Sequence, residues 1–118
     1  MLKAAFIKIR PDKVDRLKGW MVELNRRQDE VRATFAQESM CQEIAYLLEG
    51  RDGPVLVYMM DAQDWDQARR AYQASTLAID LQHREIMEDV SDVRAATEMA
   101  YECRIGGRLK KPDIKGTR

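Results

Sequence analysis

The sequence has few of the features that would assign a function directly. Lysine plus arginine and aspartate plus glutamate number 20 each, so the formal net charge is zero and no overall field attracts nucleic acid or an anionic membrane. No apolar run approaches the roughly 20 residues that span a bilayer. The sequence contains no phosphate-binding loop, nucleophile elbow or cluster of metal ligands. We therefore expect no metal, no cofactor, no nucleic acid partner and no membrane partner.

Cysteine and histidine are also scarce, with two cysteines and one histidine. Cys41 and Cys103 form no CxxC pair, and neither has a histidine nearby to complete a zinc set. We expect both to be small buried residues, with a redox pair as the alternative. The first residues alternate like a strand instead of forming a signal peptide, which predicts a cytoplasmic protein.

The 118 residues, 45% hydrophobic and 34% charged, suit one folded domain. We place that domain at residues 1–105 and expect a basic, flexible tail at 106–118. The tail holds five basic residues against Asp113 alone. It is interpreted either as a tether for phosphate or an acidic partner, or as a solvated terminus.

Hydrophobic periodicity predicts the elements of the domain. Residues 2–10 alternate, with Ala5, Ile7 and Ile9 on one side and Phe6 and Lys8 on the other, which indicates a strand. Apolar residues spaced three and four apart predict a helix over 11–38. At 1.5 Å per residue this helix is longer than its sheet, so we expect it to overshoot or to break near residues 34–35.

Three further strands and two further helices follow in the sequence. A Gly-Arg-Asp-Gly turn at 50–53 joins two strands into a hairpin, and Asp64 with Gln67 marks a helix start. The predicted elements are strands at 41–49, 55–60 and 97–105 and helices at 65–75 and 80–90. This βαββαβ order predicts an α+β, ferredoxin-like fold, a four-stranded antiparallel sheet in the order 4-1-3-2 with helices on one face.

The uncovered face of such a sheet would carry Phe6 and one side of the apolar strand at 55–60. Monomers rarely leave a patch of this kind exposed, so we expect a homodimer through the open face.

A resemblance points the same way. The order of elements and the run IKIRPDKVDRL at 7–17, leading into a long amphipathic helix, resemble the dimeric α/β-barrel superfamily. That superfamily includes antibiotic-biosynthesis monooxygenases, chlorite dismutase-like proteins and sugar mutarotases. The run DLQHRE at 80–85 is similar to an uncharacterised bacterial family within it. The resemblance implies a dimeric α/β barrel but no particular reaction, because members share a fold and little chemistry.

His83 is the strongest candidate for chemistry, being the one histidine and the one side chain that titrates near neutrality when unperturbed. It lies in an apolar helical stripe with Ile79 and Ile86. It is therefore either a histidine at the core edge, satisfied by one partner, or a general acid/base at a pocket mouth. Asp80, one turn earlier, either orients the imidazole ring or caps the helix. Tyr58 offers a strand hydroxyl as a second catalytic candidate.

Four residues are candidates for substrate binding: Arg10, Lys8, Trp65 and Asp80. Arg10 and Lys8 would hold an anionic group through charge-assisted hydrogen bonds, or would pair with acids across the strand. Trp65 would stack on a planar ligand, or would anchor its helix to the sheet.

The sequence predicts a small-molecule-binding dimer of unknown specific function, with a cofactor-independent oxygenase, isomerase or mutarotase as the enzymatic form. The alternative is a non-catalytic ligand-binding or assembly module. Whether the protein is an enzyme is left open by the sequence.

Overall fold

Apolar periodicity and turn residues set the order of elements in residues 2–105, the part of the chain that the structure, a computed structural model, describes. The elements are β1 Leu2–Ile9, a 3₁₀ turn Pro11–Lys13, α1 Val14–Arg26, α2 Gln28–Glu38, β2 Met40–Gly50, β3 Gly53–Ala62, α3 Trp65–Ala74, α4 Ala78–Val90 and β4 Ser91–Ala95. The strands form one antiparallel sheet in the order β2-β3-β1-β4, which confirms the predicted order. The predicted tail at 106–118 lies outside the described residues.

The strand register gives the sheet two different faces. Ile7 lies opposite Leu56 of β3, which in turn lies opposite Leu47 of β2. Ile7 and Leu56 are buried, and with Ile9 they form the core against Leu17 of α1 and Val90 of α4. The face that carries these residues is called the helix face below.

The other face, called the open face below, carries the alternate residues. Phe6 lies opposite Val57, and Val57 lies opposite Tyr46 on β2. Tyr46 is 61% exposed and its neighbour on the same face, Leu48, is 58% exposed. The alternation that the sequence predicts for these strands is confirmed.

The long helical segment breaks earlier than its sequence suggests. Arg27, at φ −107° and ψ 42°, separates α1 from α2, so the break expected at residues 34–35 is misplaced by seven residues. Arg27 is held there by Glu30, which accepts two hydrogen bonds at 2.7 and 2.8 Å, and by Gln82 of α4 at 2.7 Å. Thr34 stays helical because its hydroxyl finds a buried partner, described below.

The last strand also differs from the prediction. β4 is Ser91–Ala95, whereas the alternating residues 97–105 form no strand and are exposed. The reason is the end of α4: the Val90 carbonyl accepts a hydrogen bond from the Arg10 amide at 2.8 Å, which brings the chain beside β1 immediately after the helix. Residue 91 therefore pairs with Ile9 before the better-patterned segment is reached.

The two cysteines are free and exposed, so the prediction that both are buried is wrong. Cys41 lies near the start of β2, an edge strand, and Cys103 lies in the exposed segment after β4.

Among the described residues, no helix combines the length and apolar character that crossing a bilayer requires.

Candidate functional site

A broad cleft of about 1940 Å³ runs along the helix face and round the edge of the sheet. The core cluster under the helices includes Ile7, Leu56 and Tyr58, and the strands on either side of Tyr58 carry the small residues Ala5 and Ala45 in register with it. Two alanines beside one large side chain leave space above the sheet. Side chains from α2, α3 and α4 enter that space from the other side.

His83 lies in this cleft as an uncharged ring. The Trp20 indole Nε1 donates a hydrogen bond of 2.8 Å to His83 Nδ1. Because an indole N–H can only donate, Nδ1 must be unprotonated and the proton of the neutral ring sits on Nε2. Burial lowers the pKa of His83 to about 4. Trp20 therefore fixes both the orientation and the tautomer of the imidazole.

Aromatic rings surround this histidine. The ring centroids of Trp20, Tyr58 and Tyr72 lie 6.0, 6.4 and 6.3 Å from that of His83, and both tyrosines meet it edge-on. These separations suit attractive aromatic contacts. His83 is therefore packed among three aromatic rings and also lines the cleft, and its role as a general acid/base stays a prediction.

Tyr58 carries the least satisfied polar atom of the cleft. Its side chain is 6% exposed, and Oη has no hydrogen-bond partner among the described residues. Burial raises its pKa, and the charges of Glu43, Tyr72 and Arg94 are near enough to act on it. A buried hydroxyl without a partner costs roughly 1–3 kcal/mol, so its retention calls for a reason.

A chain of two carboxyl groups and one hydroxyl lies beside the rings. Thr34 Oγ1 is 3.1 Å from Glu38 Oε2 and 2.5 Å from Asp80 Oδ2, and all three side chains are buried. A hydroxyl has one proton, so Thr34 can donate to only one of the two groups. Burial raises the pKa of Glu38 to about 7, with Asp80 adding to the rise. A protonated Glu38 that donates to Thr34, which donates to Asp80, satisfies both contacts.

Asp80 is thus placed differently from either sequence interpretation. The cap position of α4 is Leu77, and Asp80 is the third residue of the helix. Its carboxylate bonds to Thr34 of α2, while the imidazole ring is held by Trp20. The expectation of a cap is wrong because α4 begins two residues before Asp80.

Glu43 on β2 completes the acidic side of the cleft. It lies opposite Met60 on the helix face, two residues along the strand from Ala45. The surrounding protein atoms raise the pKa of Glu43 to about 7, and Glu38 adds to this. Because Glu43 is also exposed to the open cleft, water offsets part of the rise.

The remaining residues predicted from the sequence lie apart from this group. Trp65 lines the cleft with its ring beneath Lys3, whose Nζ is 5.2 Å from the ring centroid. Lys8 points from the open face, opposite Val55. Arg10 donates from Nε to the Ser91 carbonyl at 3.2 Å. The structure thus brings His83, Tyr58 and Asp80 together, with Trp65 at a distance.

Arg10 belongs to a smaller pocket of about 430 Å³, which it shares with Glu85, Glu88 and Asp89. Asp89 is paired with Lys13 at 3.2 Å and with Arg16. Three acids around one arginine make a poor anion site. Binding of an anionic substrate by Arg10 and Lys8 stays a prediction.

Sequence reasoning missed Thr34, Glu38 and Glu43. One signal was present for each acid: Glu43 shares the apolar side of its strand with Ala45 and Leu47, and Glu38 stands one turn from Thr34 on α2. The convergence of α2, α4 and β2 is a tertiary property that no local pattern contains. Among residues 2–105, no three His, Cys, Asp or Glu side chains are grouped so as to hold a metal ion.

Comparison with known proteins gives one result. A family model, described as a family of unknown function (DUF6176), matches residues 2–105. No curated protein and no solved structure matches the chain.

Proposed function

Because the chain belongs to this family of unknown function, we propose a role from the cleft itself: the protein is a homodimer that binds a small molecule in the cleft of each protomer. The observation that carries the proposal is the Tyr58 hydroxyl, buried without a partner beside the uncharged ring of His83. A ligand that hydrogen-bonds to this hydroxyl would recover the free energy that the empty site loses.

The sheet order and the single helix-covered face support the finer assignment of a ferredoxin-like fold and, with a second copy, a dimeric α/β barrel. The dimer is proposed from the open face. Exposed Tyr46 and Leu48 adjoin half-buried Phe6, Val57 and Met59 there. A two-fold axis over this face would cover the apolar residues of both copies.

Ligand binding is tested by thermal shift and ¹H–¹⁵N NMR with a panel of small sugars, aromatic alcohols, acids and amines. Compounds that bind should shift the indole N–H signal of Trp20, which reports on His83. Their effect should disappear in Tyr58→Phe and persist in Tyr46→Phe, whose side chain is 61% exposed on the open face and does not line the cleft. Stabilisation that is equal in both variants would place the ligand elsewhere and contradict the proposal.

The dimer is tested by light scattering, which should give twice the chain mass of 13.7 kDa at micromolar concentration. Tyr46→Arg should produce a folded monomer, whereas Leu81→Arg, at a 49% exposed position on α4, should leave the dimer intact. A monomeric parent protein would refute the dimer, and a dimer that survives Tyr46→Arg would place the interface elsewhere.

An assembly module without a ligand is the second candidate. The residues after β4 favour it, since Met99, Tyr101 and Ile105 are 71, 83 and 78% exposed. If the module interpretation is right, substituting these three residues with serine abolishes assembly while Tyr58→Phe has no effect on any ligand.

A further inference from the structure

The cleft brings together three carboxyl groups from three different elements. Glu38 comes from α2, Glu43 from β2 and Asp80 from α4, and all three line the same cleft. Glu38 acts on the pKa of Glu43, and Asp80 acts on that of Glu38, so the three form one electrostatic group. None of them has an ion-pair partner among the described residues.

Five basic side chains line the same cleft, and four of them have a contact away from the three acids. Lys18 pairs with Glu49 at 3.4 Å, and Arg69 pairs with Asp66 at 2.8 Å. Arg84 donates to the Tyr72 and Ser75 carbonyls at 2.5 and 2.8 Å, at the end of α3. Lys3 lies over the Trp65 ring.

Arg94 and His83 also affect the net charge of the cleft. Arg94 of β4 acts on Tyr58 but not on Glu38 or Glu43. His83 is held neutral by burial and by Trp20, so it adds no positive charge. Basic and acidic side chains are thus equal in number along the cleft, but Glu38, Glu43 and Asp80 form no ion pair with any basic residue among those that the structure describes.

An acidic group alone would be an ordinary surface feature, but the Tyr58 hydroxyl is a second and independent observation. Its side chain is 94% buried, lines the cleft and has no partner. The hydroxyl oxygen can accept an N–H, and the rings of Tyr58 and Tyr72 offer their faces to a cation. Carboxylates, an acceptor oxygen and aromatic walls are the groups that recognise an organic ammonium ion.

We propose that the cleft binds a small organic amine in its protonated form, with the ammonium group at Glu43 and Glu38, an N–H donated to Tyr58 Oη, and the carbon skeleton against Tyr72. This inference rests on the proposed function and names its ligand class. Anions are repelled by the three acids, and a neutral ligand leaves the acids without a counter-charge. Binding of the cation deprotonates Glu38 and Glu43, so the bound complex releases protons.

The experiment compares three probes of nearly equal shape: benzylamine, benzyl alcohol and phenylacetate. Isothermal titration and ¹H–¹⁵N NMR at pH 8 should show benzylamine binding at least about tenfold more tightly than benzyl alcohol, as one charge-assisted hydrogen bond provides. Phenylacetate should not bind. The benzylamine affinity should fall about tenfold or more between pH 8 and pH 6, because carboxyl groups of pKa about 7 take up protons over that range.

Variants in one strand and in the turn after it provide the matched control. Glu43→Gln should weaken benzylamine at least about tenfold and flatten its pH dependence. Asp52→Asn, an exposed acid in the turn after the same strand and outside the cleft lining, should change neither. If Glu43→Gln does not fold, Glu38→Gln gives the same comparison. Lys110→Ala with Lys111→Ala, in the basic tail, should leave the affinity unchanged.

Each contrary result has its own meaning. Equal or tighter binding of benzyl alcohol or phenylacetate at the Trp20 signal overturns the amine inference and leaves the small-molecule cleft standing. Absence of binding by all three probes and by the wider panel overturns both. A tenfold gain in benzylamine affinity on removing Lys110 and Lys111 would show that the chain's own tail supplies the cation, which also overturns the inference.

Discussion

Replacing Tyr58 with phenylalanine should stabilise the ligand-free protein. The substitution removes only the hydroxyl oxygen, which is buried and has no partner among the described residues. The ring, 6% exposed, keeps its packing against His83. An unsatisfied buried hydroxyl costs roughly 1–3 kcal/mol, and phenylalanine carries no such group. The free energy of unfolding should therefore rise by at least about 1 kcal/mol.

The corresponding change in melting temperature follows from chain size. For 118 residues the entropy of unfolding is roughly 250 cal/mol/K, so 1 kcal/mol corresponds to about 4 °C. Urea unfolding monitored by circular dichroism gives the free energy, and calorimetry gives the temperature. An unchanged dependence on urea concentration would confirm that the denatured state is not involved.

Tyr101→Phe is the control, because Tyr101 is 83% exposed and its hydroxyl is hydrated. Its effect should stay within about 0.5 kcal/mol. The reasoning is refuted if Tyr58→Phe destabilises the protein by 1 kcal/mol or more, since the hydroxyl would then donate to a partner in the folded state. A gain in stability accompanied by loss of ligand binding would show that the hydroxyl is kept for the ligand.

Three other substitutions test the polar chain and the histidine. Thr34→Val keeps the side-chain shape but removes the hydroxyl between Glu38 and Asp80. Urea unfolding should therefore show that the free energy of unfolding falls by about 2 kcal/mol. The control Thr76→Val, at an exposed position, should leave the free energy of unfolding almost unchanged. His83 has its pKa lowered from 6.5 to about 4, so its contribution to stability is complete above pH 6.5 and declines as the pH falls towards 4. The difference in unfolding free energy between the parent and His83→Gln should shrink by about 2 kcal/mol from pH 7 to pH 5, and a constant difference would contradict a desolvated His83. Glu38 acts in the opposite direction: its pKa is raised from 4.5 to about 7, so its contribution is complete below pH 4.5 and is lost as the pH rises through 7. In Glu38→Gln the loss of stability between pH 5 and pH 8 should be smaller than in the parent protein.

The sequence predicts the sheet well because period-two alternation encodes which side of a strand is buried. Ile7 and Ile9 on one side of β1, and Tyr46 and Leu48 on one side of β2, lie where alternation puts them. Asp64 is the helix cap that its spacing to Gln67 predicts, with its carboxylate accepting from two backbone amides at 3.1 Å. These are local features, and local patterns encode them.

Errors arise where a tertiary contact outweighs the local pattern. Residues 97–105 alternate more regularly than Ser91–Ala95, yet the Arg10–Val90 backbone hydrogen bond brings the shorter segment to β1 first. The helix breaks at Arg27 because that residue bridges to Gln82 of α4, which is 55 positions away in sequence. Glu38 and Glu43 reach the site through pairings of the same kind, and the sequence alone does not contain those pairings.

The polar groups of the cleft destabilise the folded protein. Among the described residues, the cleft holds a hydroxyl without a partner, a histidine that resists protonation and carboxyl groups without an ion-pair partner, all next to the apolar core of Ile7 and Leu56. The substitutions Tyr58→Phe and Glu43→Gln would remove these destabilising groups without disturbing the backbone. Uncompensated polar groups that converge from different elements are the pattern of a binding site, because a ligand that binds only the folded state can compensate all of them at once. Ligand binding should therefore remove the destabilising effect of all three features at once. A ligand that stabilises the parent protein should stabilise the Tyr58→Phe and Glu43→Gln variants less.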